Sequence, residues 1–170
     1  MKKKTILVIY GGTSSEREIS LKSGKACIKA IKKLKYNVLK FDPATKDLRE
    51  INNYKVDLIF NALHGRDGED GIVQSYFEYF KIPYTHSGIL SSMNAMDKII
   101  SKKEFIKNKI RTANYMSLNS VNYQKVLKKK NIIKSKLIYP LVIKPSNEGS
   151  SIGVKICTDF NDLKKSVVEL

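Results

Sequence analysis

Arginine is scarce in this chain. Of 32 basic residues only Arg17, Arg49, Arg66 and Arg111 are arginine, and with 16 acidic residues the net charge is +16. Arginine supplies the bidentate contacts to phosphate and guanine that nucleic-acid recognition favours. The lysines are scattered over nearly every amphipathic segment beside abundant Ile and Asn, which reads as AT-rich coding and argues against a nucleic-acid partner. Cysteine is scarcer still: Cys27 and Cys157 fall in a predicted helix and a predicted strand without metal-type spacing, so free buried thiols in a reducing cytoplasm are expected. Long apolar runs are missing. The run Thr5–Tyr10 stops at Gly11-Gly12, too short for a signal-peptide core, and no other run approaches a membrane span, so neither a membrane partner nor export is expected. Internal repeats, low-complexity tracts and long linkers are absent as well.

What is present suits a globular protein. The 170 residues, 42% hydrophobic and 28% charged, suffice for one full domain, or for a small domain and a piece of another. Thr5–Tyr10 is a continuous apolar run, as in a strand buried on both faces. A helix is predicted next, with Ser15 and Glu18 as a capping box and Ile19, Ala26, Cys27, Ala30, Ile31 and Leu34 on its inner face. Strands are predicted at Asn37–Phe41 and Val56–Leu63 with weak helix around Lys46–Ile51 between them, then a helix at Gly71–Phe80 and a short strand from Ile82. This β-α-β-α-β-α-β order implies a parallel α/β sheet over about residues 1–95. From about Met96 the texture becomes α+β. Lys98–Lys109 is predicted as a helix with Ile99, Ile100, Phe105 and Ile106 inward, Ala113–Leu118 as a strand and Tyr123–Lys130 as a helix. Leu141–Lys144 and Gly153–Ile156 are predicted as a hairpin, and Phe160–Val168 as a helix.

Two loops carry the chemistry. In Lys144-Pro145-Ser146-Asn147-Glu148-Gly149-Ser150-Ser151-Ile152-Gly153, a strand ends in lysine and enters a run of small residues. Backbone N–H groups of such a loop approach an anion closely, which suits phosphate held under a hairpin flap; a solvated Gly/Ser turn is the competing reading. It is not the P-loop pattern, whose lysine follows the second glycine and opens a helix. His64-Gly65-Arg66-Asp67-Gly68-Glu69-Asp70-Gly71 follows a strand and opens a helix, placing it at the carboxyl end of the parallel sheet, where open α/β folds bind ligands. Glu69 and Asp70 read first as caps on that helix, and His64 reads equally as a ligand contact or a structural residue. Gly11-Gly12-Thr13-Ser14-Ser15-Glu16 occupies the corresponding turn after the first strand and lacks the glycine spacing of a dinucleotide site. The Glu16 carboxylate suits a ligand ammonium or the helix dipole.

The stretches GGTSSEREISLKSG at 11–24, NALHGRDGEDGIVQ at 61–74, IPYTHSGILSSMNAMDK at 82–98 and PLVIKPSNEGSSIGV at 140–154 resemble the D-alanine:D-alanine ligases, ATP-grasp enzymes of peptidoglycan synthesis, in order and spacing. The resemblance implies a Rossmann-like amino-terminal domain over residues 1–95, followed at 96–170 by the first, nucleotide-binding lobe of an ATP-grasp domain. It implies an acyl phosphate made from ATP and D-alanine, attacked by the amine of a second D-alanine. Carried over by motif, Glu16 binds the ammonium of the first D-alanine and His64 lies near it. Lys98 and Lys144 bind ATP phosphates, Glu148, Gly149 and Ser151 belong to the loop covering them, and Ser150 reaches toward Glu16 and a lid. Lys98 follows from the resemblance alone.

Members of that family are nearly twice this length. Their second half holds the lid tyrosine, a catalytic arginine and the ligands of magnesium ions that bridge ATP. The chain therefore reads as an amino-terminal part that is not expected to catalyse ligation alone, and the full-length protein as a cytoplasmic homodimer. Two alternatives stand beside this reading: a D-alanine:D-lactate ligase, or a non-catalytic remnant that binds nucleotide or substrate.

Overall fold

The computed structural model describes residues 3–170, which divide into two compact units, one ending at Met96 and one spanning Asp97–Leu170. In the first unit, β1 (Thr5–Ile9) lies between β2 (Asn37–Phe41) and β3 (Leu58–Asn61). Both pairings are parallel, with Leu7 opposite Leu39 on one side and Ile59 on the other. Ile6 through Ile9 are almost wholly buried, as a central parallel strand requires. Beyond β3, Tyr84 makes one parallel bridge to Ile59, so the strand expected from Ile82 is reduced to a single contact.

Helices α1 (Arg17–Lys33) and α2 (Ile72–Tyr79) cover the sheet. Ile6, Val8, Ile28 and Ile31 form the core cluster that includes α1, whereas Leu7, Ile9, Phe41, Ile59, Val73 and Phe77 form the one that includes α2. The inner face of α1 differs from the face expected. It carries Ser20, Gly24, Ile28 and Ile31, while Ile19 and Leu34 are 45% and 68% exposed and Ala26 and Ala30 also face outward. Small residues mark the face because the helix lies very close to the strand: a Cβ at Gly24 would stand 2.4 Å from the Cβ of Tyr10. The Ser15–Glu18 capping box is also absent. Glu16 occupies the N-cap without a side-chain cap, and the Glu16 N–H donates to Ser14 Oγ at 3.2 Å instead. Around Lys46–Ile51 the helical turn is a 3₁₀ segment at Leu48–Asn53, where Asp47 and Glu50 do form a capping box. A short helix the pattern did not announce, α3 (Ile89–Met96), closes the unit.

The second unit holds α4 (Lys98–Lys107), α5 (Tyr123–Val126), α6 (Lys129–Lys134), the antiparallel hairpin of β4 (Leu141–Ile143) and β5 (Lys155–Cys157), and α7 (Phe160–Val168). Its small core centres on Ile132, Cys157 and Leu163. Three expectations fail here. Ala113–Leu118 forms no strand, and the helix expected at 123–130 is broken into α5 and α6. Helix α4 buries no residue: Ile100, Phe105 and Ile106 are 38%, 41% and 57% exposed. The far face of the hairpin, with Val142 opposite Ile156, is exposed too. Amphipathic spacing marks an apolar stripe but not whether this chain supplies its cover.

Gly24→Ala tests the close helix–strand approach. Alanine is the better helix former by about 1 kcal/mol, but its Cβ would collide with a side-chain atom next to the Tyr10 backbone, and overpacking of this kind costs about 1–3 kcal/mol. The variant should unfold at lower urea than the parent; equal or greater stability would show that the helix can move away freely.

Candidate functional site

Both loops of the first unit emerge at the carboxyl end of adjacent parallel strands, and side chains tie them together. Ser20, fully buried on α1, accepts from the Gly11 N–H at 2.8 Å and donates to the Ala62 carbonyl at 2.7 Å, joining the ends of β1 and β3. Ser14 Oγ donates to the His64 carbonyl at 2.8 Å. On the other flank Arg17 reaches the Asp42 carboxylate, just beyond β2, through two N–H···O contacts at 3.0 and 2.8 Å and donates to the Gly12 carbonyl at 2.7 Å. Asp42 also accepts from the backbone of Gly12 and Ala44 at 3.0 Å each. Partial burial works against the charge on Asp42, but the Arg17 guanidinium and these N–H groups outweigh it and hold the carboxyl below its ordinary value.

The His64–Gly71 loop is braced from within. Asn61 Nδ2 and Gln74 Nε2 both donate to the Gly68 carbonyl, at 2.8 and 2.9 Å. Glu69 accepts from the Gly65 N–H at 2.8 Å, and Asp70 from the N–H groups of Asp67 and Ile72 at 3.0 and 3.2 Å. The two carboxylates thus support the loop and the start of α2. His64 lies between Ser23 Oγ, 3.0 Å from its Nε2, and Glu69 Oε1, 3.8 Å from its Nδ1. Glu16 is only 4% exposed and packs against Gly65, where a Cβ would stand 2.7 Å from Oε1. Gly65 has φ +70° and this carboxylate beside it, so glycine is required there on both counts. Beside these loops opens a cavity of about 330 Å³ lined by Gly11–Ser14, His64, Arg66 and Asp67; Glu16 is not in its wall. Glu16 and His64 therefore sit on neighbouring, mutually bonded loops, and only His64 reaches this cavity.

In the second unit the lysine-rich site is built around the β4–β5 loop. Lys144 follows β4 and is exposed. Lys98, at the start of α4, donates from its backbone N–H to the Ser146 carbonyl at 3.0 Å and from Nζ to the same carbonyl at 3.2 Å, and also to the Glu148 carbonyl. Burial, and after it the charge of Lys144, lowers the Lys98 ammonium below its ordinary value. Ser150 and Ser151 have φ of +44° and +63°, a left-handed geometry unusual for serine, and Gly153 follows at +67°. The loop turns back on itself through the Ile152 N–H to Gly149 and the Val154 N–H to Ser151 carbonyls, at 2.9 and 3.2 Å. All six residues expected near phosphate, Lys98, Lys144, Glu148, Gly149, Ser150 and Ser151, lie on this loop or against it. Among the described residues no group of three His, Cys, Asp or Glu side chains is placed to hold a metal, and no helix is long and apolar enough to cross a membrane.

Sequence reasoning missed Arg17, Ser20, Asp42, Asn61 and Gln74. Each acts across 5 to 42 residues of chain, and only a polar side chain at the end of a strand or on the inner helix face hinted at them.

These features define an α/β protein with two glycine-rich loops bonded together at the carboxyl end of a parallel sheet and, in its second unit, a hairpin whose loop is braced by Lys98. The chain belongs to the D-alanine–D-alanine ligase family. Family models described as D-ala D-ala ligase N-terminus and C-terminus match residues 40–87 and 105–170. A D-alanine–D-alanine ligase of Pelagibacter ubique is 49% identical over 95% of this chain and 52% of its own length. The solved D-alanine–D-alanine ligase of Bacillus anthracis superposes with a TM-score of 0.75 at 34% identity, covering 98% of this chain and 53% of that one. The VanG D-Ala:D-Ser ligase of Enterococcus faecalis gives 0.78 at 29% identity, with 98% and 59% covered. The chain spans about half the length of the curated relatives it matches.

The Asp42 contacts predict an acid-sensitive site. Because the folded carboxyl titrates below its ordinary 3.8, its contribution to stability is complete above that value and disappears as pH falls through the lower, folded value. The stability gap between the parent and Asp42→Asn, measured by urea unfolding, should be widest near pH 6 and narrow as pH falls below 3.8. A gap that is constant with pH would contradict the ionic role.

Proposed function

We propose that this chain carries the amino-acid-binding loops and the phosphate-binding loop of an ATP-dependent D-alanine–D-alanine ligase. The observation that carries the reading is the exposed Lys144 beside a loop of left-handed serines braced by Lys98, in a chain of this family. In the reaction the γ-phosphoryl group of ATP passes to the carboxylate of a first D-alanine, giving ADP and an acyl phosphate. The amine of a second D-alanine attacks the acyl carbon, and the tetrahedral intermediate expels phosphate. Phosphoryl transfer of this kind is governed by positioning and by positive charge at the transferring oxygens.

The residues divide that work. Lys144 offers its ammonium to the polyphosphate. Lys98 holds the loop through two carbonyls, and its charge adds to the field. The backbone of Glu148–Ser151, Ser150 included, lines the phosphate. The exposed apolar pair Val142 and Ile156 provides a flat surface next to Lys144 for the nucleotide base. Glu16 pairs with the ammonium of the first D-alanine, with His64 beside the same substrate. D-alanine as the second substrate is supported by the names of the curated relatives. A cytoplasmic location accords with ATP as substrate and with the free thiols of Cys27 and Cys157. A homodimer is supported by the exposed Tyr79, Leu90 and Met93 of the first unit.

Calorimetric titration separates the two sites. Lys144→Ala should weaken ATP binding about ten- to a hundredfold, the size of a lost charge-assisted contact, and leave D-alanine affinity unchanged. Glu16→Gln should weaken D-alanine binding by a similar factor and leave ATP affinity within about twofold. Parental D-alanine affinity in Glu16→Gln would remove Glu16 from the site, and parental ATP affinity in Lys144→Ala would do the same for Lys144.

A further inference from the structure

Ser23 stands on α1, and three groups surround its hydroxyl. The Ile19 and Ser20 carbonyls of its own helix lie 3.0 and 3.3 Å from Oγ, and His64 Nε2 lies 3.0 Å away on the loop after β3. A serine hydroxyl has one proton, and a carbonyl can only accept. If that proton went to Nε2, both carbonyls would face Oγ with no proton between them. If it goes to the helix carbonyls, the usual back-bond of a helical serine, Oγ accepts from the ring and Nε2 must carry hydrogen. Only the second assignment makes both 3.0 Å contacts hydrogen bonds. At the other ring nitrogen, Glu69 Oε1 is 3.8 Å from Nδ1, beyond hydrogen-bond reach. The second oxygen of that carboxylate is engaged by the Gly65 N–H at 2.8 Å. In the neutral ring Nδ1 and Oε1 are therefore two unspent acceptors side by side, close enough to share one donor nitrogen at ordinary hydrogen-bond distances.

We propose that Ser23 is a positioning residue: it touches no substrate, holds the proton of neutral His64 on Nε2, and so leaves Nδ1 as an acceptor paired with Glu69 Oε1 for an amine donor. A ring that accepts suits a substrate that brings an ammonium, whereas a ring that donates would meet it hydrogen to hydrogen. The role in binding rests on the placement of His64 beside the first D-alanine. The tautomer does not.

Nitrogen-15 NMR of the histidine-labelled full chain decides the tautomer without any ligand, because a protonated and a bare ring nitrogen resonate far apart. The spectrum is read on the alkaline plateau of the ring's own titration, and His64→Ala assigns its signals, since His86 is the only other histidine. The parent should show Nε2 protonated and Nδ1 bare; the reverse overturns the proposal. Ser23→Ala, a good helix former, should gain the Nδ1-protonated form, because Glu69 is then the acceptor left beside the ring. Ser23→Thr keeps a hydroxyl that bonds the same helix carbonyls and should keep the parental pattern. An unchanged tautomer in Ser23→Ala, or one that shifts equally in Ser23→Thr, overturns the proposal. Ser23→Ala should also bind D-alanine about two- to tenfold more weakly, the size of one ordinary hydrogen bond, with ATP binding unchanged. A shifted tautomer with parental D-alanine affinity overturns the role in binding. Parental D-alanine affinity in His64→Ala overturns instead the placement of His64 beside that substrate.

Discussion

The position of β1 between two parallel neighbours is the constraint on which the first unit depends. Because β2 and β3 both run with β1, all three strands end at one edge, and the loops that follow them must meet there. Buried Ser20 converts that proximity into a fixed geometry, since one hydroxyl satisfies the Gly11 N–H and the Ala62 carbonyl together. Each of those backbone groups would otherwise be buried without a partner at a cost of about 1–3 kcal/mol. Arg17 and Asp42 do the same on the β2 flank, with charge in place of burial. Glu16 and His64 inherit their positions from these contacts.

The second unit is organised by charge at one loop more than by packing. Its core is small and its hairpin has two strands, which have little stability alone. Lys98 reaches back to the loop carbonyls across 48 and 50 residues and shapes the turn that Lys144 introduces. Serines in left-handed geometry store strain, and strain of this kind clusters where a backbone must present its N–H groups to a ligand.

Much of the first unit was legible in the sequence. The apolar run Thr5–Ile9 and the glycines after it can only be a buried strand and its turn, and the spacing of His64–Gly71 after β3 put a loop at the ligand edge. The inner face of α1 was misread because large apolar residues were followed, whereas the close approach at Gly24 selects small ones. The second unit was read less well because periodicity says nothing about missing cover. Ile100, Phe105 and Ile106 recur as an inward stripe should, yet they are exposed, and Ala113–Leu118 has the composition of a strand without a neighbour to pair with. Lys98 was legible through the resemblance alone, because on composition it is an ordinary lysine in a lysine-rich chain, and its reach to the Ser146 and Glu148 carbonyls appears only in the fold.

The central claim is that two chemically distinct sites reside on the two units of one chain. Amide NMR of the labelled chain titrated with ATP and, separately, with D-alanine tests it most directly. ATP should shift Lys98, Lys144 and the Ser146–Gly153 loop, and D-alanine should shift Glu16 and the His64–Gly71 loop, each leaving the other set nearly unmoved. ATP shifts confined to the Gly11–Glu16 and His64–Gly71 loops, with the Lys144 loop silent, would contradict the claim.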